Sequence, residues 1–463
     1  MKEPLTHPYI PNSAQLARQS MLAELGLEDE EALFAAIPPE LRLKRNLNLP
    51  EPILSELHLE RHVRQILSKN TSTEEALSFL GSGCYQHFVP AVCDEINHRN
   101  EFLTAYSGRA YEDHGRYQAL FEYASMMGEL LDMDVVNLPT YDAFQAAATS
   151  MRMAANITGR KEILVSRAIH PDKISKILDY NGHILEFVFI DFDPYSGEMD
   201  LQALQQALSS ATAAVYFENP NFFGVIESQG ARISELVHQH GGLSIVSADP
   251  ISLGVLKPPA AYGADIACGD IQSLGIHMQF GGGHAGYIAT RDEPAYILEF
   301  PNRIYGLVPT EVPGEYGFGE VAFERTSFMA RENGKEWVGT MANLWAITAG
   351  VYLALMGPQG MAEVGQTITA HGQYAMQTLS KIPGIALQFP QSGHFREFVL
   401  DFSRSGKSVT EINRALLAKN IFGGYDLSGK FAGFTNHAAY CVTEIHSKAD
   451  IDRLAQALAE VLA

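Results

Sequence analysis

Between residues 134 and 291, short apolar runs alternate with longer amphipathic stretches. The runs predict strands over residues 134–137, 163–166, 185–189, 213–217, 243–246 and 287–289. Apolar positions spaced three and four apart predict helices between them, over residues 141–155, 173–179, 201–208 and 233–240. This alternation is the pattern of parallel βα units, in which crossover helices cover both faces of one sheet and the strands point the same way. Ligands gather at the carboxyl ends of such strands. Arg167, His170, Asn219, Asn221 and Asp249 all fall just beyond predicted strands. A helix over residues 115–131 precedes the series, and its stripe of Leu120, Phe121, Ala124, Met127 and Leu131 reads as core packing.

The flanks follow other patterns. Residues 1–70 read as an arm. A helix runs from Ser13 through Leu16, Met21, Leu22 and Leu25 to Gly26, and a second short one carries Leu33, Phe34 and Ile37 before Pro38-Pro39. An extended segment, LRLKRNLNLPEP, leads to an amphipathic helix over residues 54–67, and Ser72 begins another. The arm holds too little apolar surface to fold alone, so it should lie across the rest of the protein or a partner. Residues 71–325 form a large α/β domain. A Pro/Gly-rich link follows Arg291, and helices are expected over residues 343–356 and 360–382. The strands FREFVLDF and AAYCVTE, a helix over residues 409–417, and a last helix carrying Ile451, Leu454, Leu458 and Val461 complete a small α+β domain within residues 326–463. Ser447 and Asp450 form a cap at the start of that last helix.

Charge narrows the partners. With 33 basic and 54 acidic residues the net charge is −21, which argues against nucleic acid or an anionic membrane. Cys84, Cys93, Cys268 and Cys441 are scattered without a paired spacing, so neither a zinc site nor a disulfide framework is expected, and a reducing, cytoplasmic setting fits. No apolar run reaches the roughly 18 residues that a membrane span needs. The candidate chemistry lies in residues 243–291. An apolar run ends on Asp249-Pro250, and three glycines, Gly281 to Gly283, precede the next strand. In a pyridoxal-phosphate enzyme an Asp so placed holds the pyridine nitrogen protonated, and a downstream Lys forms the Schiff base. Here no lysine occurs between Lys257 and Lys335, and Lys335 lies too far along the chain to serve. His277 and His284 flank the glycines as possible ligands, although loop histidines are more often solvated or bonded to backbone carbonyls. A Gly-Ser-Gly turn at residues 81–83 precedes a helix and would let backbone approach a ligand closely.

Several segments, FLGSGCYQHFVPAV, ENPNFFGVIE, DPISLGVLKPP with YGADI, QSLGI, and CVTEIHSKADIDRL, resemble subunit 1 of the two-subunit glycine dehydrogenase (decarboxylating), the P protein of the glycine cleavage system. The matches run in order from residue 8 to residue 456. The resemblance implies a fold-type I pyridoxal-phosphate-dependent transferase fold, with a mostly parallel sheet and a small C-terminal α+β domain. It implies a glycine-decarboxylating enzyme whose Schiff-base lysine and pyridoxal phosphate reside on a subunit 2-like partner, in a heterodimer or heterotetramer, with a lipoyl carrier H protein as acceptor. Ser273 then stands at or beside the lysine position, so no residue of this chain is expected to be catalytic. Asp249, Gln272, Ser273 and His277 would line a vestigial pocket. Tyr85, His87, Tyr106, His114, Asn219, Asn221 and Trp337 are candidates for the substrate or partner site, and no metal is implied.

The chain departs from the family pattern at residues 112–115, at Tyr141-Asp142-Ala143, at residues 282–286 and most of all at residues 325–344. Residues 112–115 and 325–344 are expected to set what the complex accepts. Two further readings therefore stand beside the first: a paralogue whose pair acts on another small amino acid in a specialised pathway, and a non-catalytic scaffold or regulatory chain.

Overall fold

The computed structural model describes residues 6–7, 9–45, 47–102, 114–335, 338 and 342–463. The chain divides into two compact units, Met1–Thr71 and Ser72–Ala463.

The first unit contains α1 (Gln15–Leu25) and α2 (Glu56–Leu67), the latter capped by the Ser55 hydroxyl. Between them the expected second helix is only a 3-10 turn, Glu30–Phe34, capped by Asp29. Pro38-Pro39 removes two N–H donors just beyond and disfavours helical backbone at Ile37, so nothing prolongs that turn. No residue of these elements is buried, and Leu16 and Leu54 are 81% and 85% exposed, so the described residues of this unit form no core of their own.

The second unit opens with β1 (Leu77–Ser78) and α3 (Ala91–Asn97), followed by α4 (His114–Leu131) and β2 (Val135–Val136). The βα series comes next: α5 (Ala143–Thr158), β3 (Glu162–Ser166), α6 (Pro171–Asn181), β4 (Glu186–Ile190), α7 (Leu201–Ala207), β5 (Thr212–Glu218), α8 (Gly230–Gln239), β6 (Leu243–Ser247), β7 (Ile266–Asp270) and β8 (Gly286–Thr290). Seven strands form one sheet in the order β2-β8-β7-β6-β5-β3-β4. The five from β7 to β4 are parallel, while β8 runs antiparallel to β7 and to β2. Successive residues of each strand enter opposite cores: Val215 and Phe217 of β5 face α4 and α8, whereas Ala214 and Tyr216 face α5 and α6. Burial on both faces explains why these strands read as continuous apolar runs.

Beyond the sheet lie α9 (Pro294–Ile297), a hairpin of β9 (Tyr305–Pro309) and β10 (Tyr316–Glu320), and α10 (Ser327–Ala330). The long helix α11 (Asn343–Leu379) breaks at Gly357, with φ 58° and ψ −176°, just before Pro358. This is the two-helix reading, with the halves joined through one kink. The remaining elements are β11 (Ala386–Leu387), β12 (Glu397–Asp401), α12 (Val409–Leu417), β13 (Ile421–Phe422), β14 (Tyr425–Asp426), β15 (His437–Cys441) and α13 (Lys448–Leu462). They build a sheet β11-β12-β15-β14 around a separate core, and α13 starts in the expected Ser447/Asp450 capping box.

Elsewhere, too, the structure differs from the sequence reading. Ser72 begins one turn and no helix, because Leu77 and Ser78 pair with Ile421 and Phe422 while Ala76 and Phe79 are buried. The link after Arg291 carries a hairpin. Strand β7 was missed altogether.

The large sheet meets the C-terminal sheet through backbone. Val225 bridges His394, the Ile226 N–H donates to the Gly393 carbonyl at 2.9 Å, and the Phe395 N–H donates to the Gly224 carbonyl at 2.9 Å. Gly224 has φ 76°, and a Cβ there would overlap the Glu397 carbonyl oxygen. Gly224→Ala is therefore expected to cost at least about 1–3 kcal/mol from the backbone conformation alone. Thermal melting followed by circular dichroism should show a clear drop, and an unchanged melting temperature would refute the crowded junction.

Candidate functional site

Parallel pairing delivers the ends of β3, β5, β6 and β7 to one edge of the sheet. A cavity of ≈ 420 Å³ opens there, lined by residues that follow each strand, by the start of α5, by the turn at 82–85 and by residues 395–397. Of the residues singled out from sequence, Tyr85, His170, Asn221, Asp249, Gln272, Ser273 and His284 line it.

Asp249 is the centre of one wall. Its Oδ1 accepts the Ile251 N–H at 3.1 Å and the Ser273 hydroxyl at 3.4 Å. Its Oδ2 has no aligned donor, but Arg396 Nη2 stands 2.7 Å away and supplies a full positive charge. Arg396 is buried, its Cζ lies 3.3 Å from the centroid of the Tyr85 ring, and its Nη1 is 3.1 Å from His87 Nε2. His87 Nδ1 in turn lies 2.7 Å from Glu444 Oε2, so a line of groups runs Glu444, His87, Arg396, Asp249. His87 thus acts behind the cavity and does not line it. The Gly-Ser-Gly turn makes its close approach to the protein itself. Ser82 N–H donates to Glu397 Oε1 at 2.6 Å, the Tyr85 hydroxyl donates to Glu397 Oε2 at 3.0 Å, and a side chain at Gly81 would collide with Glu397 and Cys441. The Gln272 amide is also spent internally, on the Tyr85 N–H and carbonyl and on the Ile276 carbonyl.

The opposite wall is the N-terminus of α5. Asp142 caps it by accepting the Gln145 N–H at 2.7 Å, and Asp270 Oδ2 accepts the Ala143 N–H at 3.0 Å. Asp270 also accepts from the Gln272 N–H at 2.9 Å and the Ala285 N–H at 3.3 Å, and it lies 3.1 Å from His284 Nδ1. Burial works against a charge on His284, yet hydrogen bonds to Asp270 and Cys84 outweigh it and push its pKa up to about 10. Two departures from the family pattern, Ala143 and His284, therefore converge on one carboxylate.

Sequence reasoning missed Lys173, a lysine that does line the cavity. It is buried in the first turn of α6, ion-paired with Glu218, 3.3 Å from the Tyr216 hydroxyl and 5.3 Å from the Phe144 ring centroid. Its amine is occupied by the ion pair with Glu218. Glu218, Asp270, Arg396 and Glu397 were likewise missed. The available signals were a Lys one turn into a helix that follows a strand, and charged residues at strand termini. His277 stands outside the cavity, at 3.0 Å from Asp94 on α3. Asn219 is buried beside it and ties Glu227 and Tyr262 in place; Asn221 lines it while its amide braces the turn to Val225. Lys335 pairs with Glu299 and is not among the lining residues. Tyr106 and Trp337 fall outside the described residues, as does the side chain of His114. Among the described residues no cluster of His, Cys, Asp or Glu has metal-holding geometry, and no helix is long and apolar enough to cross a membrane.

A mostly parallel seven-stranded sheet with an Asp at the end of a central strand, joined to a small α+β region, defines the fold-type I pyridoxal-phosphate-dependent transferase class. A sphingosine-1-phosphate lyase of Burkholderia pseudomallei shares this fold, with a TM-score of 0.65 at 15% identity over 92% of this chain and 94% of that one. The match to the family described as Glycine cleavage system P-protein spans residues 7–458, and the chain belongs to that family. Similar proteins include the "Probable glycine dehydrogenase (decarboxylating) subunit 1" of Staphylothermus marinus, 36% identical over 99% of this chain and 98% of the relative. The protein of the same name from Bacillus thuringiensis subsp. konkukian is 38% identical over 97% and 98%. A crystal structure of glycine decarboxylase (P-protein) of the glycine cleavage system, in inhibitor-bound form, superposes with a TM-score of 0.86 at 33% identity, covering 97% of this chain and 98% of that one. The family resemblance and the fold class read from sequence are thus borne out.

Pyridoxal phosphate is the group this class implies, and the residues present do not fit it. Ser273 offers no amine, Asp249 already faces a guanidinium, and the Ala143 and Gln145 N–H groups at the start of α5 already serve carboxylates.

The His284–Asp270 contact has a pH signature. A histidine whose folded pKa is raised from 6.5 to about 10 stabilises the fold fully below pH 6.5, and the increment is lost as pH rises through about 10. His284→Ala should melt below the wild type at neutral pH, with the two curves converging in strong alkali. A constant gap across that range would show that the contact is not ionic.

Proposed function

We propose that this chain is the subunit without a Schiff-base lysine in a two-chain glycine decarboxylase. The assembly decarboxylates glycine and passes the aminomethyl group to a lipoyl carrier protein. The observation that carries the reading is Ser273, buried beside Asp249 where the chemistry requires an amine. A hydroxyl forms no carbon–nitrogen double bond with an aldehyde, so the covalent step belongs to a homologous, subunit 2-like chain. Pyridoxal phosphate on that partner would supply the electron sink for the carbanion left by CO2 loss. This chain's share is to form one wall of the partner's active site and a docking surface for the carrier. Residues 112–115 and 325–344 are our candidates for that wall.

The family supports this reading, and the relatives of 36–38% identity share one name, so a paralogue acting on another amino acid is not favoured. The four free cysteines support a reducing cytoplasm. The exposed apolar side chains of residues 1–70 support an arm that orders on a partner, alongside the large domain at 71–325 and the small one at 326–463.

Borohydride reduction of the isolated chain with pyridoxal phosphate, followed by peptide mass analysis, should yield no phosphopyridoxyl-lysine. Detection of that adduct at Lys173, Lys335 or any other lysine would sink the proposal. Removing residues 1–50 should abolish copurification with the partner chain while leaving the melting of residues 72–463 intact. Full assembly by the truncated chain would assign the arm another purpose.

A further inference from the structure

We infer that this pocket is filled by its own side chains: Arg396 takes the place and charge of a protonated ring nitrogen on Asp249, and Asp142 and Asp270 take the helix N-terminus that would receive a phosphate. The inference rests on the reading that pyridoxal phosphate resides on a partner chain and goes beyond it, because the missing amine is then not what excludes the cofactor here.

The argument is one of matched charge and shape. A protonated pyridine nitrogen would bring Asp249 a single positive charge on a flat, delocalised group. The guanidinium of Arg396 is also flat, delocalised and singly charged. It stands 2.7 Å from Asp249 Oδ2 and is stacked 3.3 Å from the Tyr85 ring centroid. A ring entering that position would need the same volume and would set a second cation beside the first. His87, backed by Glu444, fixes the guanidinium from the far side, so it is no freely swinging side chain. At the other wall, a helix N-terminus receives an anion through unpaired N–H groups and its dipole. In α5 the Ala143 and Gln145 N–H groups already donate to Asp270 and Asp142. A phosphate dianion would meet those two carboxylates in place of free donors, and Asp270 is further anchored by His284 and two more backbone N–H groups. The Asp249 carboxylate and two N–H groups at the start of α5 are thus already met by charged side chains of the protein itself.

Pyridoxamine 5′-phosphate needs no lysine and so probes the pocket apart from the amine. Titrated into the full-length chain and followed by ring absorbance and thermal shift, it should give no saturable change with the wild type. Arg396→Ala should gain saturable binding of pyridoxamine, the form without phosphate, because only the ring position has been opened. Adding Asp270→Asn should then tighten pyridoxamine 5′-phosphate by about tenfold or more while pyridoxamine changes little. Arg396→Gln, shorter and uncharged, replaces the Ala variant if that one does not fold. Saturable uptake of pyridoxamine 5′-phosphate by the wild type overturns the inference, and so do folded Arg396 variants that bind no better than the wild type. Such uptake leaves the proposed function standing, whereas borohydride-fixed cofactor on a lysine of the wild type would defeat the proposed function itself.

Discussion

The parallel ladder of five strands is the constraint from which the rest follows. Neighbouring strands lie about 4.8 Å apart, so residues just past their ends are forced within reach of one another. His170, Glu218, Asp249 and Asp270 come from four such ends, and no local preference of those residues would gather them. The antiparallel β8 adds to the same edge because an antiparallel strand begins where its neighbour finishes, with Gly286 opposite Asp270. His284, just before β8, is thereby set against the carboxylate at the end of β7.

A second layer of order comes from segments far apart in sequence. The turn at 81–87, the start of β12 and the residues after β15 interlock through Glu397, Arg396 and Glu444. Each of these charges is largely buried, and a buried charge persists only where partners compensate it. The Thr443 hydroxyl donates to the Gln86 carbonyl at 2.7 Å, which ties the last motif of the chain to the first motif of this unit. The site is therefore a closing seam between the large sheet and the C-terminal sheet, crossed by backbone at Gly224 and by ions at Asp249.

Much of this was legible in the sequence for physical reasons. Strands buried on both faces announce themselves as apolar runs, and the break in α11 is written in Gly357-Pro358. Asp249 was found because a strand end is local, and Ser273 because the family motif around it is. What escaped was non-local or chemically atypical. Strand β7 ends in Gly269-Asp270, weak strand formers, and is held by pairing to β6 on one side and β8 on the other. Strand β1 exists only because β13 is there to receive it. Arg396 gives no sign of its target, since that target is reached only when the C-terminal sheet has folded against the large one. His277 was misplaced for the opposite reason: its place beside the three glycines suggested the pocket, but its ring turns to Asp94, outside the cavity.

The pair between Asp249 and Arg396 also bears on how such a chain can change over generations. Truncating the arginine alone strands a carboxylate in the interior, and truncating the aspartate alone strands a guanidinium, each at about 3–5 kcal/mol. That is a large share of the roughly 5–15 kcal/mol by which a folded domain is stable. A lineage carrying this arrangement is thus held in it by a valley of poorly folded intermediates on either side. Opening the pocket to a ring at Asp249 would therefore require coordinated substitutions and not a single one, for reasons of folding alone.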